Sequence, residues 1–457
     1  MFYRVLSRKR YNSVLIAYRI AERTNYLGHI SATSQEGLEL MADRPRVVVT
    51  GVGAVAPNGV GKEAYWKGLL QGRSGIRRIS RFDASQFPCQ IAGEVVDFQP
   101  AQYLEPQDVK RLARVSQFAV VAAKMALEDS GFQVTTENTH RIGVCFGTSM
   151  GKPDVFEEDY SRYLERGVHG INPFTLIELA SHGGTSHVSI ALGAGGVCGT
   201  LSSGCTTGLD VIQWGYQQVA NGRAEAMIVG SAEALISPFI FGLVCAVRVL
   251  SKRNQEPERA VRPFELHRDG IVLAEGAGAL VLERLDRARD RGAAIYAEIR
   301  GFASAREGDA MVKTEDQGQG ISRVMTSALA NAEMEATQVD YISAHGVGLP
   351  DYDAAETTAI KQVFGRHAFN MPVSSVKSMI GQPFAASGTL QSVAACLSLR
   401  HGMVPPTINY DTPDPQCDLD YVPNRARPAR LRTALVHAHG MGGTTSVVVL
   451  SKPVEAL

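Results

Sequence analysis

The chain has 457 residues, more than one simple domain needs and suited to two packed halves. Its 46 basic and 46 acidic residues cancel, so no whole-chain field points to nucleic acid or an anionic membrane as partner. Hydrophobic residues at 45% and charged residues at 20% fit a soluble globular protein, and no apolar run reaches the roughly 18 residues a bilayer requires.

The expected compartment is the cytoplasm, because seven cysteines without regular spacing argue against a disulfide framework. Residues 1–44 stand apart as an N-terminal extension. Arg4, Arg8, Lys9, Arg10 and Arg19 precede the first acid, Glu22. Such a start reads as a disordered extension or a misassigned start upstream of Met41, with an Arg-rich transit peptide as the alternative.

From residue 45 onward, short β-branched runs alternate with longer helical stretches. Strands are expected at 46–50, 141–146, 225–229, 278–283, 295–301, 341–344, 433–438 and 446–450, and helices at 116–130, 208–221, 320–332, 353–363 and 388–400. This alternation predicts α/β layers with sheets buried on both faces. Residues 45–290 and 291–457 read as two related halves, each with a small-residue loop feeding a long helix, at 202–208 and 381–388. A repeat of that length implies duplication about a pseudo-twofold axis, with helices of both halves aimed at one shared pocket. The glycines of Gly51-Val-Gly53 make a weak dinucleotide fingerprint, since Ala56 stands at the third glycine position.

Of the seven cysteines, Cys205 has the distinctive setting, Leu201-Ser-Ser-Gly-Cys-Thr-Thr-Gly208 followed by an amphipathic helix. A thiol at a helix N-terminus gains from the positive end of the macrodipole, which favours the thiolate, and the N–H groups of the turn can bind an oxyanion. Cys198 lies nearby without a helix start. His437 and His439 share a strand face, but with no third ligand evident no metal is expected.

Gly204-Cys205-Thr206-Thr207-Gly208 resembles the nucleophile turn of the β-ketoacyl-[acyl-carrier-protein] synthases, in the elongating type II branch of the thiolase superfamily. Thr50-Gly-Val-Gly-Ala-Val-Ala-Pro57, Arg114-Val-Ser-Gln-Phe-Ala119, Glu275-Gly-Ala-Gly278, Ala344-His345-Gly346 and Val376-Lys377-Ser378-Met379 resemble further family segments, in order. The resemblance implies the duplicated thiolase fold, a five-layer αβαβα core with pseudo-twofold symmetry. It also implies acyl transfer from carrier protein to Cys205, then decarboxylative Claisen condensation with a malonyl-carrier thioester. Substrates would ride on the phosphopantetheine of acyl carrier protein, with no tightly bound cofactor. The assembly implied is a homodimer, or a heterodimer with another synthase subunit.

By the same resemblance His345 is the first of two histidines that support the enolate oxygen, and Lys377 helps order the site. Gln382 stands where the family has its second histidine. An amide donates a hydrogen bond but cannot become cationic. Val347 and Leu349 replace threonines that hold the pantetheine arm, Met441-Gly442-Gly443 replaces a phenylalanine-bearing gating and oxyanion loop, and Glu356 matches a supporting acid. These departures fit polyketide or specialised fatty-acid synthesis. Two alternatives remain: an acyltransferase that forms an ester, amide or thioester without decarboxylation, and a non-catalytic, chain-length-factor-like partner subunit. The pair Cys205 and His345 weighs against the second.

Overall fold

The computed structural model describes residues 45–307 and 317–453. The expectation for residues 1–44 therefore lies outside the described residues, apart from which Arg46–Leu457 clusters as one compact unit.

In the first half, β1 (Val47–Ala56), β2 (Ile142–Gly147), β3 (Cys198–Leu201), β4 (Ala226–Glu233) and β5 (Gly276–Arg284) alternate with α1 (Arg114–Ser130), α2 (Pro153–Arg166), α3 (Gly183–Leu192) and α4 (Thr207–Ala220). In the second half, β6 (Ala297–Arg306), β7 (Tyr341–Ser343), β8 (Val373–Ser374), β9 (Thr433–Gly440) and β10 (Thr444–Ser451) alternate with α5 (Gln319–Asn331), α6 (Pro350–Phe364) and α7 (Ala386–His401). The strand order is β3-β2-β4-β5-β1 and then β6-β10-β9-β7-β8, so each half has its third, second, fourth, fifth and first strands side by side. The pattern of directions repeats too. The second strand is parallel to the third and fourth, and the fifth is antiparallel to the fourth and first, in both halves. The halves join where Val48 and Val49 of β1 pair with Glu298 and Ala297 of β6.

Alternating side chains place three apolar layers around these strands. Met227 and Leu282 face Leu209 and Ile212 of α4, which also meet Leu390 and Val393 of α7 in the central layer. Ile228 and Val281 point the other way, onto Phe118 and Val121 of α1. Ile342 and Val447 cover Ile321 and Val324 of α5 on the far side. The result is five layers, αβαβα, as expected.

Close approach explains two pairs of glycines. A Cβ at Gly51 or Gly53 would lie 2.1 Å from the carbonyl oxygen of Ala126 or Ala122 on α1, so these glycines serve helix–sheet packing. Gly208 on α4 and Gly388 on α7 press against each other's backbone: a Cβ on Gly208 would be 2.5 Å from Thr389 N, and one on Gly388 would be 2.8 Å from Leu209 N. The N-terminal ends of two symmetry-related helices therefore meet at the centre of the molecule.

Candidate active site

Cys205 sits in a short 3-10 turn, Gly204–Thr206, that runs directly into α4. Gly204 holds φ at +70°, a left-handed conformation that side chains disfavour. Asp210, one turn into α4, accepts from Thr206 Oγ1 at 3.1 Å and Ser446 Oγ at 2.6 Å, and ties the turn to β10. Cys205 is 6% exposed. It takes hydrogen bonds from the Gln382 side chain and from the backbone N–H of Met441.

Here the structure modifies the sequence-based expectation of a favoured thiolate. Burial pushes the thiol up to about 11, against the ammonium of Lys377 and the two donated hydrogen bonds, which pull it down. In this resting geometry desolvation outweighs Lys377 and the donated hydrogen bonds.

Lys377, whose charge acts on the sulfur, links the nucleophile to further segments. His345 follows β7, and its carbonyl accepts from Lys377 Nζ at 2.7 Å. Lys377 also donates to Gln391 Oε1 at 2.9 Å, and burial lowers its pKa to about 8. Glu356, on α6, accepts the N–H groups of His345 at 2.7 Å and Gly346 at 2.8 Å, and pairs with His437 Nδ1. Burial works to raise Glu356, but His437 and the donated N–H bonds hold it below its ordinary value. His345 is pushed well below the usual imidazole range, by burial first and then by Lys377, His437 and His439.

Gln382 stands beside Cys205, on the segment that follows Gly381. Its Oε1 accepts from Ser387 Oγ at 2.8 Å while its amide donates to the sulfur, so both ends are engaged. Met441, Gly442 and Gly443 form the turn between β9 and β10. Met441 is 37% exposed and stands at the mouth of the site. Val347 belongs to the apolar cluster that holds Cys205, Leu273 and Phe384, with Leu349 packed against it, so this wall is apolar, as the replacement of the two threonines implies. Among the described residues no group of three or more His, Cys, Asp or Glu is arranged to hold a metal.

Sequence reasoning missed several of these positions. Asp353 accepts N–H bonds from Phe264, Val347 and Gly348 and fixes the loop after His345. Asp353 and Glu356 lie three residues apart on a helix that begins at Pro350. Of the two, Asp353 was the one missed, and its place in the first helical turn, where a carboxylate is favoured, was the available signal. His437 was weighed as half of a metal pair, whereas its Nδ1 is committed to Glu356.

A duplicated five-layer core with a buried cysteine where two helix N-termini meet defines a protein of the thiolase fold. The chain belongs to the β-ketoacyl synthase family: the family model described as "Beta-ketoacyl synthase, N-terminal domain" matches residues 44–288, and its C-terminal counterpart matches residues 296–411. It is 41% identical over 410 residues to 3-oxoacyl-[acyl-carrier-protein] synthase 2 of Coxiella burnetii, covering 90% of this chain and 99% of that protein. It is equally 41% identical, over 417 residues, to the tetracenomycin polyketide synthase ketoacyl synthase alpha subunit of Streptomyces glaucescens, covering 90% and 98%. Among solved structures, a type II polyketide ketosynthase in complex with its acyl-carrier protein superposes with a TM-score of 0.84 at 35% identity, over 90% of this chain and all of that one. The chain is thus an acyltransferase of the β-ketoacyl synthase type.

Proposed function

We propose that Cys205 accepts an acyl group from the phosphopantetheine of an acyl carrier protein. The acyl enzyme then condenses with a malonyl-carrier thioester, in polyketide or specialised fatty-acid synthesis. The buried cluster of Cys205, Lys377, His345 and Gln382, drawn from both halves of the fold, carries this reading. The acyl-enzyme step needs a thiol, a neighbouring cation and an oxyanion donor. Cys205, Lys377 and the Met441 N–H supply these. The apolar wall of Val347 and Leu349 faces the arm of the carrier, and residues 45–290 and 291–457 act as the two halves of one catalytic unit in the cytoplasm.

A homodimer, or a heterodimer with a second synthase subunit, fits the exposed apolar side chains on α2, on α3 and between them. Leu164, Val168, Leu176 and Ile190 are each more than 60% exposed. One of the similar solved structures is described as a ketosynthase/chain length factor.

Intact mass after incubation with an acyl-loaded carrier protein should show one acyl adduct, absent from Cys205→Ala. Addition of malonyl-loaded carrier protein should then release carbon dioxide. An adduct that persists in the Cys205→Ala variant would overturn the nucleophile assignment. An adduct without carbon dioxide release would turn the assignment to non-decarboxylating acyl transfer.

A further inference from the structure

The condensation proposed above needs donors for the enolate oxygen, and Gln382 is already partly committed: its carbonyl is held by Ser387 and one amide hydrogen by the sulfur of Cys205, which leaves at most one N–H for that oxygen. A different imidazole stands in the pocket. His439, on β9, is 1% exposed, and its ring centroid lies 6.2 Å from that of His345, with the planes nearly perpendicular. Its Nδ1 is bonded to Thr445 Oγ1 at 2.6 Å, whereas its buried Nε2 has no hydrogen-bond partner. A carboxylate oxygen, Glu307 Oε1, is 3.9 Å from Nε2, beyond hydrogen-bond reach. His345 likewise has a buried nitrogen, Nδ1, without a partner. Buried polar atoms left unpaired in a reaction pocket call for an occupant.

β9 brings His439 to the end of the sheet that carries the nucleophile: a Cβ on the next residue, Gly440, would be 3.2 Å from Cys205 Cβ, on the opposite strand face from the His439 ring. Tyr352 packs on the His439 ring, with centroids 5.2 Å apart. His437 is equally near His345, at 6.2 Å, and its Nε2 is also buried without a partner, but it stands two residues further back along β9 than His439, away from Gly440 and the nucleophile, with its Nδ1 on Glu356. Two imidazoles with centroids 6.2 Å apart can both reach one oxygen between them, each at an N–H···O distance of about 2.9 Å.

We propose that His439, acting through Nε2–H with Nδ1 accepting from the Thr445 hydroxyl, is the second enolate-oxygen donor beside His345 and does the work of the histidine that Gln382 replaces. Burial lowers the His439 pKa to about 3, so it acts as a neutral donor. In the step it serves, the bond between the malonyl α-carbon and its carboxylate breaks, and carbon dioxide leaves. The electron pair enters the enolate, whose oxygen is held by His345 and His439. The α-carbon then attacks the acyl carbonyl on Cys205, the carbon–sulfur bond breaks, and the departing thiolate takes a proton from solvent.

The inference rests on the condensing reading, and the test separates the two. Wild type, His439→Phe and His439→Gln are acylated on Cys205, with the adduct mass reporting a folded pocket, and carbon dioxide release from malonyl-loaded carrier protein is then timed. His439→Phe should lose about 10²–10³ in kcat for release, the usual cost of an oxyanion donor, with KM for the malonyl carrier little changed. His439→Gln, which keeps a neutral donor, should release at least tenfold faster than His439→Phe. Wild-type release retained in His439→Phe would overturn this inference alone, as would equal losses in the two variants. No release by wild type would overturn the condensing reading and this inference with it.

Discussion

Replacing Lys377 by methionine should make the protein more stable at neutral pH and less stable at high pH, while condensation is lost. Lys377 is 1% exposed, and its ammonium is held between the His345 carbonyl and Gln391 Oε1. Burial lowers its pKa from 10.5 to about 8, although Glu356, Cys205 and Asp353 act to raise it. At 1.36 kcal/mol per unit, that depression costs about 3 kcal/mol of folding free energy while the lysine is charged in both states. Above pH 8 the folded protein sheds this proton first, the unfolded chain binds more protons, and wild-type stability from this group rises until about pH 10.5.

Methionine fills a similar volume without a charge but leaves Gln391 Oε1 and the His345 carbonyl unpaired, a loss of about 1–3 kcal/mol. The variant should therefore lead by about 1 kcal/mol at pH 7 and trail by about 1–3 kcal/mol near pH 10.5. Denaturant midpoints of both proteins across pH 6.5–10.5, at equal m, measure the difference. A difference that stays flat across this window would refute the reasoning. So would a wild type ahead by more than about 2 kcal/mol at pH 7.

Cys205 alkylation by iodoacetamide should keep accelerating beyond pH 9, because the thiol is pushed up to about 11; a plateau near pH 8 would show that the helix terminus outweighs burial. Glu356→Gln replaces a carboxylate that accepts from His345 N–H, Gly346 N–H and His437 with a single acceptor oxygen, and should cost about 2–3 kcal/mol in chemical denaturation. Unchanged stability would mean that Glu356 does not hold this loop. Gly388→Ala should gain about 1 kcal/mol in helix propensity. It should lose more to the contact 2.8 Å from Leu209 N, for a net destabilisation of about 1–2 kcal/mol. A higher unfolding midpoint would remove Gly388 from the list of close-packing constraints.

Elements with a strong local pattern were legible in the sequence. The runs that become β2, β4, β9 and β10 are β-branched and apolar because both faces of their sheet are covered, and such runs stand out without any tertiary knowledge. The third strand of each half was not legible. Cys198–Leu201 and Val373–Ser374 are short, and each is a strand only because β2 or β7 lies alongside to pair with it. The opening strand also ran longer than its pattern showed. The expected strand stopped at Thr50, before Gly51 and Gly53, yet these glycines continue β1, where the backbone of α1 passes too close for a side chain.

The same division holds in the pocket. The sequence by itself determined that Cys205 begins a helix after a glycine turn and that His345 ends a strand, both properties of a few adjacent residues. It also determined that Gln382 is an amide where a histidine was expected. Only the tertiary structure decided which way that amide points, that Glu356 holds His437, that His439 presents an unpaired nitrogen, and that the thiol is raised. Each of these depends on burial and on groups brought together from distant segments, and desolvation and hydrogen-bond geometry do not exist until the chain has folded.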